Sequence, residues 1–312
     1  MNTVKFSVFS DLHYLPGIFY TEAEKRLEEI ADRAIKNNVD FMIHLGDISH
    51  NPSKDRVIVD QFDAIPLETY HCIGNHECQD DTYETVLDIF GLEKGYYYFD
   101  KNGFRFIVLD LNYMRENGKA VHYNLGNYFR RSPDTQLVTF EEEQLKWFEE
   151  TVMTSPYPCV LFSHHSLERV NNGMSITELK SVWELLEKLN SDKKRIIMAV
   201  NGHHHKDNLR IFKDIVFFDL NSASYDWIDE AHSGKYPKEM YDEYSLVGNT
   251  LVYENPANAI ITLREDGNIK IEGNSGGFIY GIDREVVGIT IYDTDGRLST
   301  AEVLSTEFTV NV

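Results

Sequence analysis

The sequence predicts an α/β fold, and three observations carry that expectation. Short apolar runs recur along the first 220 residues, and amphipathic stretches of helical period lie between them. Most of the runs lack the period-two alternation of a half-exposed strand, so they are expected to be covered on both faces.

The expected strands are Val4–Phe9, Phe41–Leu45, Thr69–Ile73, Phe104–Leu109, Cys159–Phe162, Ile196–Val200 and Ile215–Leu220. The first expected helix, Thr21–Asn37, sets Ala23, Leu27, Ile30, Ala34 and Ile35 on one face. The second, Thr139–Met153, does so with Phe140, Leu145, Phe148 and Val152, and the third, Ser175–Asn190, with Ile176, Leu179, Val182, Leu186 and Leu189. Each opens on a hydroxyl residue followed three positions later by glutamate: Thr21/Glu24, Thr139/Glu142 and Ser175/Glu178. That is the capping-box pattern. Beyond about residue 255 the pattern turns to strands. Ala259–Leu263 and Asn268–Glu272 flank one expected turn, and Val287–Tyr292 and Leu298–Leu304 flank a second. Two aromatic stretches without clear period, Asn112–Pro133 and Ala223–Tyr253, read as long loops of the kind that carry function, the second with two readings: rings that stack a base or an aromatic leaving group, or rings that cover the core and each other.

Composition narrows the function. Thirty Lys and Arg stand against 51 Asp and Glu in 312 residues, a net charge of −21. Such a surface repels nucleic-acid polymers and anionic membranes, but it does not exclude a small phosphorylated substrate, because a bound cation reverses the local sign. Lys193-Lys194-Arg195 is a lone basic triplet, too little for a nucleic-acid groove. Three cysteines, an odd and small number, argue against a disulfide framework and for a reducing compartment, read as the cytoplasm. No run approaches the roughly 20 apolar residues of a membrane span. The opening MNTVKFSVFSDLH reads as a first strand rather than a leader.

Five expected strands run into residues that bind metals: Asp11-Leu12-His13, Gly46-Asp47, Gly74-Asn75-His76-Glu77, His164-His165 and Gly202-His203-His204-His205. Ligands of an open α/β sheet gather at the carboxyl ends of its strands, so these scattered motifs should converge. Carboxylates and imidazoles together suit manganese, iron or zinc. Alternate residues of an extended segment share a side, so Asp11 with His13, and His203 with His205, are expected to grip an ion together. Gly46, Gly74 and Gly202 sit where the backbone must turn sharply or come close to an ion.

The ordered set DLH, GD, GNHE, SHH and GHHH resembles the calcineurin-like metallophosphoesterase superfamily over residues 11–205. That resemblance implies a four-layer α/β/β/α sandwich, while the change of pattern near residue 255 divides the chain into a catalytic domain over 1–255 and a β-rich extension over 256–312, expected to pack on the same domain. The resemblance also implies two divalent or mixed-valence transition-metal ions, manganese, iron or zinc. One would be held by Asp11, His13, Asp47 and His205, and the other by Asp47, Asn75, His164 and His203, with Asp47 bridging and His165 as the alternative to His164. His76 would stand by the leaving-group oxygen as the general acid, while a hydroxide between the ions attacks phosphorus. His204 is not expected to bind metal.

Other residues have plainer readings. Glu77 reads as a solvated loop or capping residue, although Glu77 or Asp110 could orient a ligand histidine. Cys78 reads as a packing residue, and His44, His71, His122 and His232 as surface or half-buried histidines. His50 stays open between the structural and the functional reading. It occupies the place where purple acid phosphatases carry an iron-binding tyrosine, which argues against a tyrosinate centre. The leading expectation is hydrolysis of a small, nucleotide-like phosphodiester. A phosphomonoesterase, a nuclease and a non-catalytic scaffold of the same fold are the alternatives. The oligomeric state is open.

Overall fold

A computed structural model describes residues 2–130, 135–168, 179–233, 235–292 and 298–310. Two six-stranded sheets lie face to face. The first has the order Thr306–Thr309, Asn268–Glu272, Ala259–Arg264, Thr3–Phe9, Phe41–His44, Glu68–His71. Its last three strands are parallel and the others antiparallel. The second has the order Asn208–Phe212, Ile215–Asp219, Ile196–Asn201, Cys159–Ser163, Phe104–Leu109, Tyr97–Lys101, parallel through its four central strands and antiparallel at both edges.

All seven expected strands form. Their lack of alternation follows from the layering. Val4, Phe6 and Val8 face inward to meet Phe104, Phe106, Val108 and Phe162 of the opposite sheet. The Phe6 ring stacks on Phe41 at 5.0 Å and meets Phe106 edge-on at 5.5 Å. Phe9 and Met42 face outward, onto Leu27 and Ile30 of the Ala23–Lys36 helix and Phe62 of the Arg56–Asp63 helix. Beneath the second sheet Ile107, Leu109 and Leu161 belong to the apolar cluster that holds Phe148, Val152, Val182 and Leu186 of the Glu142–Met153 and Leu179–Leu189 helices. The result is the four-layer arrangement of helices, sheet, sheet and helices. Among the described residues no helix is long and apolar enough to cross a membrane.

Several local expectations need correction. The first helix begins at Ala23, with Glu22 at its N-cap in a left-handed conformation and no side-chain cap, so Thr21/Glu24 does not form a capping box. The second begins at Glu142, capped by Glu141 through the Gln144 amide rather than by Thr139. Both sequences offer several polar residues at the boundary, and the spacing pattern could not choose among them. Ser175/Glu178 lies outside the described residues. The Ala259–Arg264 and Asn268–Glu272 hairpin forms and extends the first sheet. The turn of the second expected hairpin lies outside the described residues; its flanks meet at an antiparallel bridge between Tyr292 and Leu298, and Ser299 N–H donates to Ile291 O at 2.8 Å.

The two aromatic stretches are not bare loops. Tyr113–Glu116, Lys119–His122 and Gln136–Leu137 form a small sheet, as do Tyr225–Trp227 and Thr250–Val252. Most of their rings are buried or half-buried; Phe129, at 59%, and Tyr241, at 38%, are exposed. Asp226, 1% exposed, meets Lys206 Nζ, Arg284 Nη1 at 3.0 Å and Ser299 Oγ. Through these contacts the C-terminal segment reaches the loop that carries His205.

Candidate metal centre

Five of the parallel strands end on one rim, and the loops after them carry the candidate residues. Asp11 and His13 follow Thr3–Phe9, Asp47 follows Phe41–His44, and Asn75 and His76 follow Glu68–His71. His164 follows Cys159–Ser163, and His203 and His205 follow Ile196–Asn201. The loops are stitched together: the Asp11 N–H donates to Gly46 O at 3.0 Å, His13 N–H to Asp47 O at 2.9 Å, and Gly202 N–H to His164 O at 3.1 Å. Three glycines of the rim have no room for a side chain: a Cβ on Gly46 would lie 2.6 Å from both Gly74 N and His164 Nδ1. A Cβ on Gly74 would lie 2.2 Å from Asp47 Oδ1, and one on Gly202 would lie 1.8 Å from Ser10 Oγ and 2.6 Å from Asp11 Oδ2.

Asp11, His13, Asp47, His203 and His205 all have left-handed backbone, with φ between 51° and 68°. Such a conformation is uncommon outside glycine, costs of order 1–3 kcal/mol, and clusters at functional sites. It corrects the extended-segment reading. Asp11 and His13 do converge, but through two kinked residues. His203 and His205 do not share a group at all.

The ligating atoms fall into overlapping groups, each within 4.8 Å: Asp11, His13 and His205; Asp11, Asp47 and His164; and His164, His165 and His203. His205 Nδ1 donates to Tyr225 O at 2.6 Å, which leaves Nε2 a lone pair aimed at His13 Nε2, 3.0 Å away, and at Asp11 Oδ1, 3.3 Å away. His164 Nδ1 donates to Leu45 O at 2.7 Å, and its Nε2 faces Asp47 Oδ2 and Asn75 Oδ1, each 3.1 Å away, and His203 Nδ1 at 3.2 Å. With the imidazoles neutral, acceptors therefore point at acceptors, and buried Asp11 Oδ1 has no hydrogen-bond partner among the described residues. Asp11 Oδ2 and Asp47 Oδ1 accept backbone N–H groups, and the remaining carboxylate, amide and imidazole donors face one another, a set that fits transition-metal cations. The electrostatics agree. Burial works against a charge on His164, yet Asp47 beside it lifts the pKa to about 9. Burial would raise the Asp47 pKa, but His164 and His76 hold it well below the usual carboxylate range. The cluster draws in positive charge even as a proton.

His165 is fully buried beside His203, with ring centroids 4.4 Å apart and neither ring nitrogen hydrogen-bonded among the described residues. His164, not His165, faces Asp47 and Asn75. His76 Nδ1 contacts Gln79 Oε1 at 2.7 Å, which leaves Nε2 4.0 Å from Asp47 Oδ2. Gln79 escaped the sequence reading, although its spacing of three from His76 in a helical turn was the available signal.

Glu77 is neither solvated nor a partner of histidine. It is fully buried and accepts the backbone N–H groups of Asp47 at 3.0 Å, Ile48 at 2.6 Å, Ser49 at 3.3 Å and Gly74 at 2.6 Å. Burial, and then the Asp47 charge, raise its pKa to about 8. Asp110 orients a histidine outside the candidate set, His122, at 2.8 Å. His44 and His71 are buried and paired with each other at 2.8 Å, and His71 reaches Asp63, so both are structural. Cys78 is a core residue, as expected. Trp227 is half-buried beside the rim, its ring 6.0 Å from His13 and 5.9 Å from His205.

The calcineurin-like phosphoesterase family matches residues 4–207. No curated protein matches the sequence. Among solved structures, the chain is similar to a dimetal phosphatase from Danio rerio, at 16% identity over 88% of this chain and 96% of that one, with a TM-score of 0.60. It is also similar to GAP50, the anchor in the inner membrane complex of Plasmodium, at 8% identity over 100% of this chain and 90% of that one, with a TM-score of 0.55. At these identities the structures speak for the fold, while the family match takes in well over half the chain and every motif of the rim. The chain therefore belongs to the calcineurin-like phosphoesterase family and is a metal-dependent phosphoester hydrolase.

Proposed function

We propose that the protein hydrolyses a small phosphodiester at a centre of two transition-metal ions. Asp11, His13, Asp47 and His205 hold one ion, Asp47, Asn75, His164 and His203 hold the other, and Asp47 serves both. The observation that carries this reading is the position of Asp47: its Oδ2 lies 3.1 Å from His164 Nε2, and its residue shares a group with Asp11, which in turn groups with His13 and His205. When bound, the ions supply Lewis-acid stabilisation of the phosphoryl oxygens and a nucleophile at neutral pH. Manganese, iron and zinc all suit these donors.

The chain's own residues do the rest. Leu45 O and Tyr225 O fix the tautomers of His164 and His205. Gln79 Oε1 holds a proton on His76 Nδ1 and turns Nε2 toward Asp47. His76, protonated, gives its Nε2 proton to the departing oxygen, help that an alkoxide leaving group needs and that is typically worth about 10²–10⁴-fold. That need favours a diester over a monoester. Trp227 stands by the ions' rim and supports a nucleotide-like substrate, whose base it would stack.

The net charge of −21 supports a small substrate over a nucleic-acid polymer or a membrane surface. The three cysteines are free and buried, which supports a reducing, cytoplasmic setting. Ala259–Arg264 pairs with Thr3–Phe9, which supports reading 1–255 and 256–312 as one packed unit.

The test is a paired assay on Mn²⁺-loaded protein, a chromogenic phosphodiester against the matching monoester, with a chelated control. Faster diester cleavage that chelation abolishes is expected. Faster monoester cleavage would move the protein to the phosphatase branch, and no cleavage of either would favour a scaffold.

A further inference from the structure

One buried histidine at the centre is left without a task. His50 is 2% exposed, and besides the neighbouring histidines the side chain that reaches it with a hydrogen bond is Gln79. Its Nε2 lies 2.8 Å from His13 Nδ1. Its ring lies 4.0 Å from that of His76, tilted by 36°. His13 meets Asp11 and His205 with its other nitrogen, Nε2. His50 therefore stands behind His13, away from the donor group.

A ligand imidazole is set by what its far nitrogen does: that nitrogen must carry the proton and must have an acceptor. Leu45 O is the acceptor for His164, and Tyr225 O for His205. At His13 Nδ1 no carbonyl takes that place among the described residues, and His50 Nε2 does. A second arrangement is conceivable, since ligating atoms of His13, His50 and His76 also gather within 4.8 Å, as a third ion would require. The orientation of His13 decides against it: its Nε2 already faces Asp11 and His205, which leaves Nδ1 to meet His50 at 2.8 Å, a hydrogen-bond length.

We infer that His50 is a positioning residue of the metal centre: its Nε2 accepts the His13 Nδ1–H, which fixes His13 with Nε2 toward Asp11 and His205, and its ring backs the plane of His76. The two elements it joins are the loop after the first strand and the loop after the third, so one side chain sets a ligand of one ion and the acid that meets the leaving group. This rests on the proposed ligand role of His13.

The experiment is a calorimetric titration of metal-stripped full-length protein with Mn²⁺, in wild type, His50→Phe, His50→Gln and His13→Ala. Thermal unfolding of each metal-free form is recorded alongside. Phenylalanine keeps a ring against His76 but offers no acceptor, while the glutamine amide oxygen can accept from His13. Wild type is expected to bind two ions. His50→Phe is expected to weaken one of the two by about 10–100-fold and spare the other, and His50→Gln to restore most of that loss. If His50→Phe does not fold, His50→Leu takes its place in the same titration. Unchanged affinity at both sites in the folded acceptor-free variant, or equal losses in the acceptor-free and glutamine variants, would overturn the role. So would a third ion in wild type that disappears when His50 is replaced. If His13→Ala keeps both sites, the ligand assignment itself is wrong. If it loses one while the acceptor-free variant loses none, only the role of His50 is refuted.

Discussion

Glu77 Oε2 accepts the backbone N–H of Asp47 at 3.0 Å, so the carboxylate proposed to serve both ions is carried on another carboxylate. Asp47 sits on a left-handed residue, φ 54°, and four N–H groups around it converge on Glu77. Glu77→Ala strands buried donors at about 1–3 kcal/mol each. The metal-free variant should lose at least that much stability in urea unfolding and bind Mn²⁺ more weakly. A variant with wild-type urea midpoint and metal affinity would show that the cradle is dispensable.

Asp47→Ala removes the side chain shared by both proposed ligand sets. Elemental analysis after metal loading and desalting should find fewer than two ions per chain. Two ions retained would refute the shared role.

His76→Ala should keep both ions and lose about 10²–10⁴-fold in turnover, with the deficit shrinking as the leaving group becomes more acidic. The check is a series of aryl diesters of graded leaving-group pKa. An equal deficit across the series would mean that His76 binds substrate rather than protonating its product.

Gly202→Ala is the sharpest packing test. Its Cβ would overlap Ser10 Oγ and press on Asp11 Oδ2, which accepts the His203 N–H at 2.9 Å. Metal affinity should fall even though no ligand has changed. Calorimetry that finds wild-type binding would show that the rim can give way.

Asp226→Ala tests the tie between the C-terminal segment and the rim. Removing a buried carboxylate from its cationic partners costs about 3–5 kcal/mol. The thermal transition should drop accordingly, together with affinity for the ion held by His205, which lies one residue from Lys206. A stability loss with intact metal binding would confine the clamp to the fold.

The strands and their order of motifs were legible because doubly covered strands are apolar throughout, and each motif began where such a run stopped. The edge strands Tyr97–Lys101 and Asn208–Phe212 were not, because they alternate or carry charge and so look like loops. Helix starts were misplaced by two or three residues where Thr21, Glu22, Thr139 and Glu141 all offered themselves as caps. The candidate ligands were readable from residue type and resemblance. Their convergence was not readable from period, because a left-handed residue breaks any periodicity. The roles of Glu77 and His50 were hidden for a related reason: both act on backbone or ring nitrogens brought near only by the crossing of loops from different strands.

The left-handed residues have a further consequence. At Asp11, His13, Asp47, His203 and His205 the chain tolerates a conformation in which glycine or asparagine would sit more comfortably than histidine. The backbone alone therefore gives no reason to keep histidine there; what holds it is the work of the side chain, as at buried His205, which donates to Tyr225 O and groups with Asp11 and His13. The histidines of this chain thus mark the places where side-chain chemistry outweighs backbone comfort.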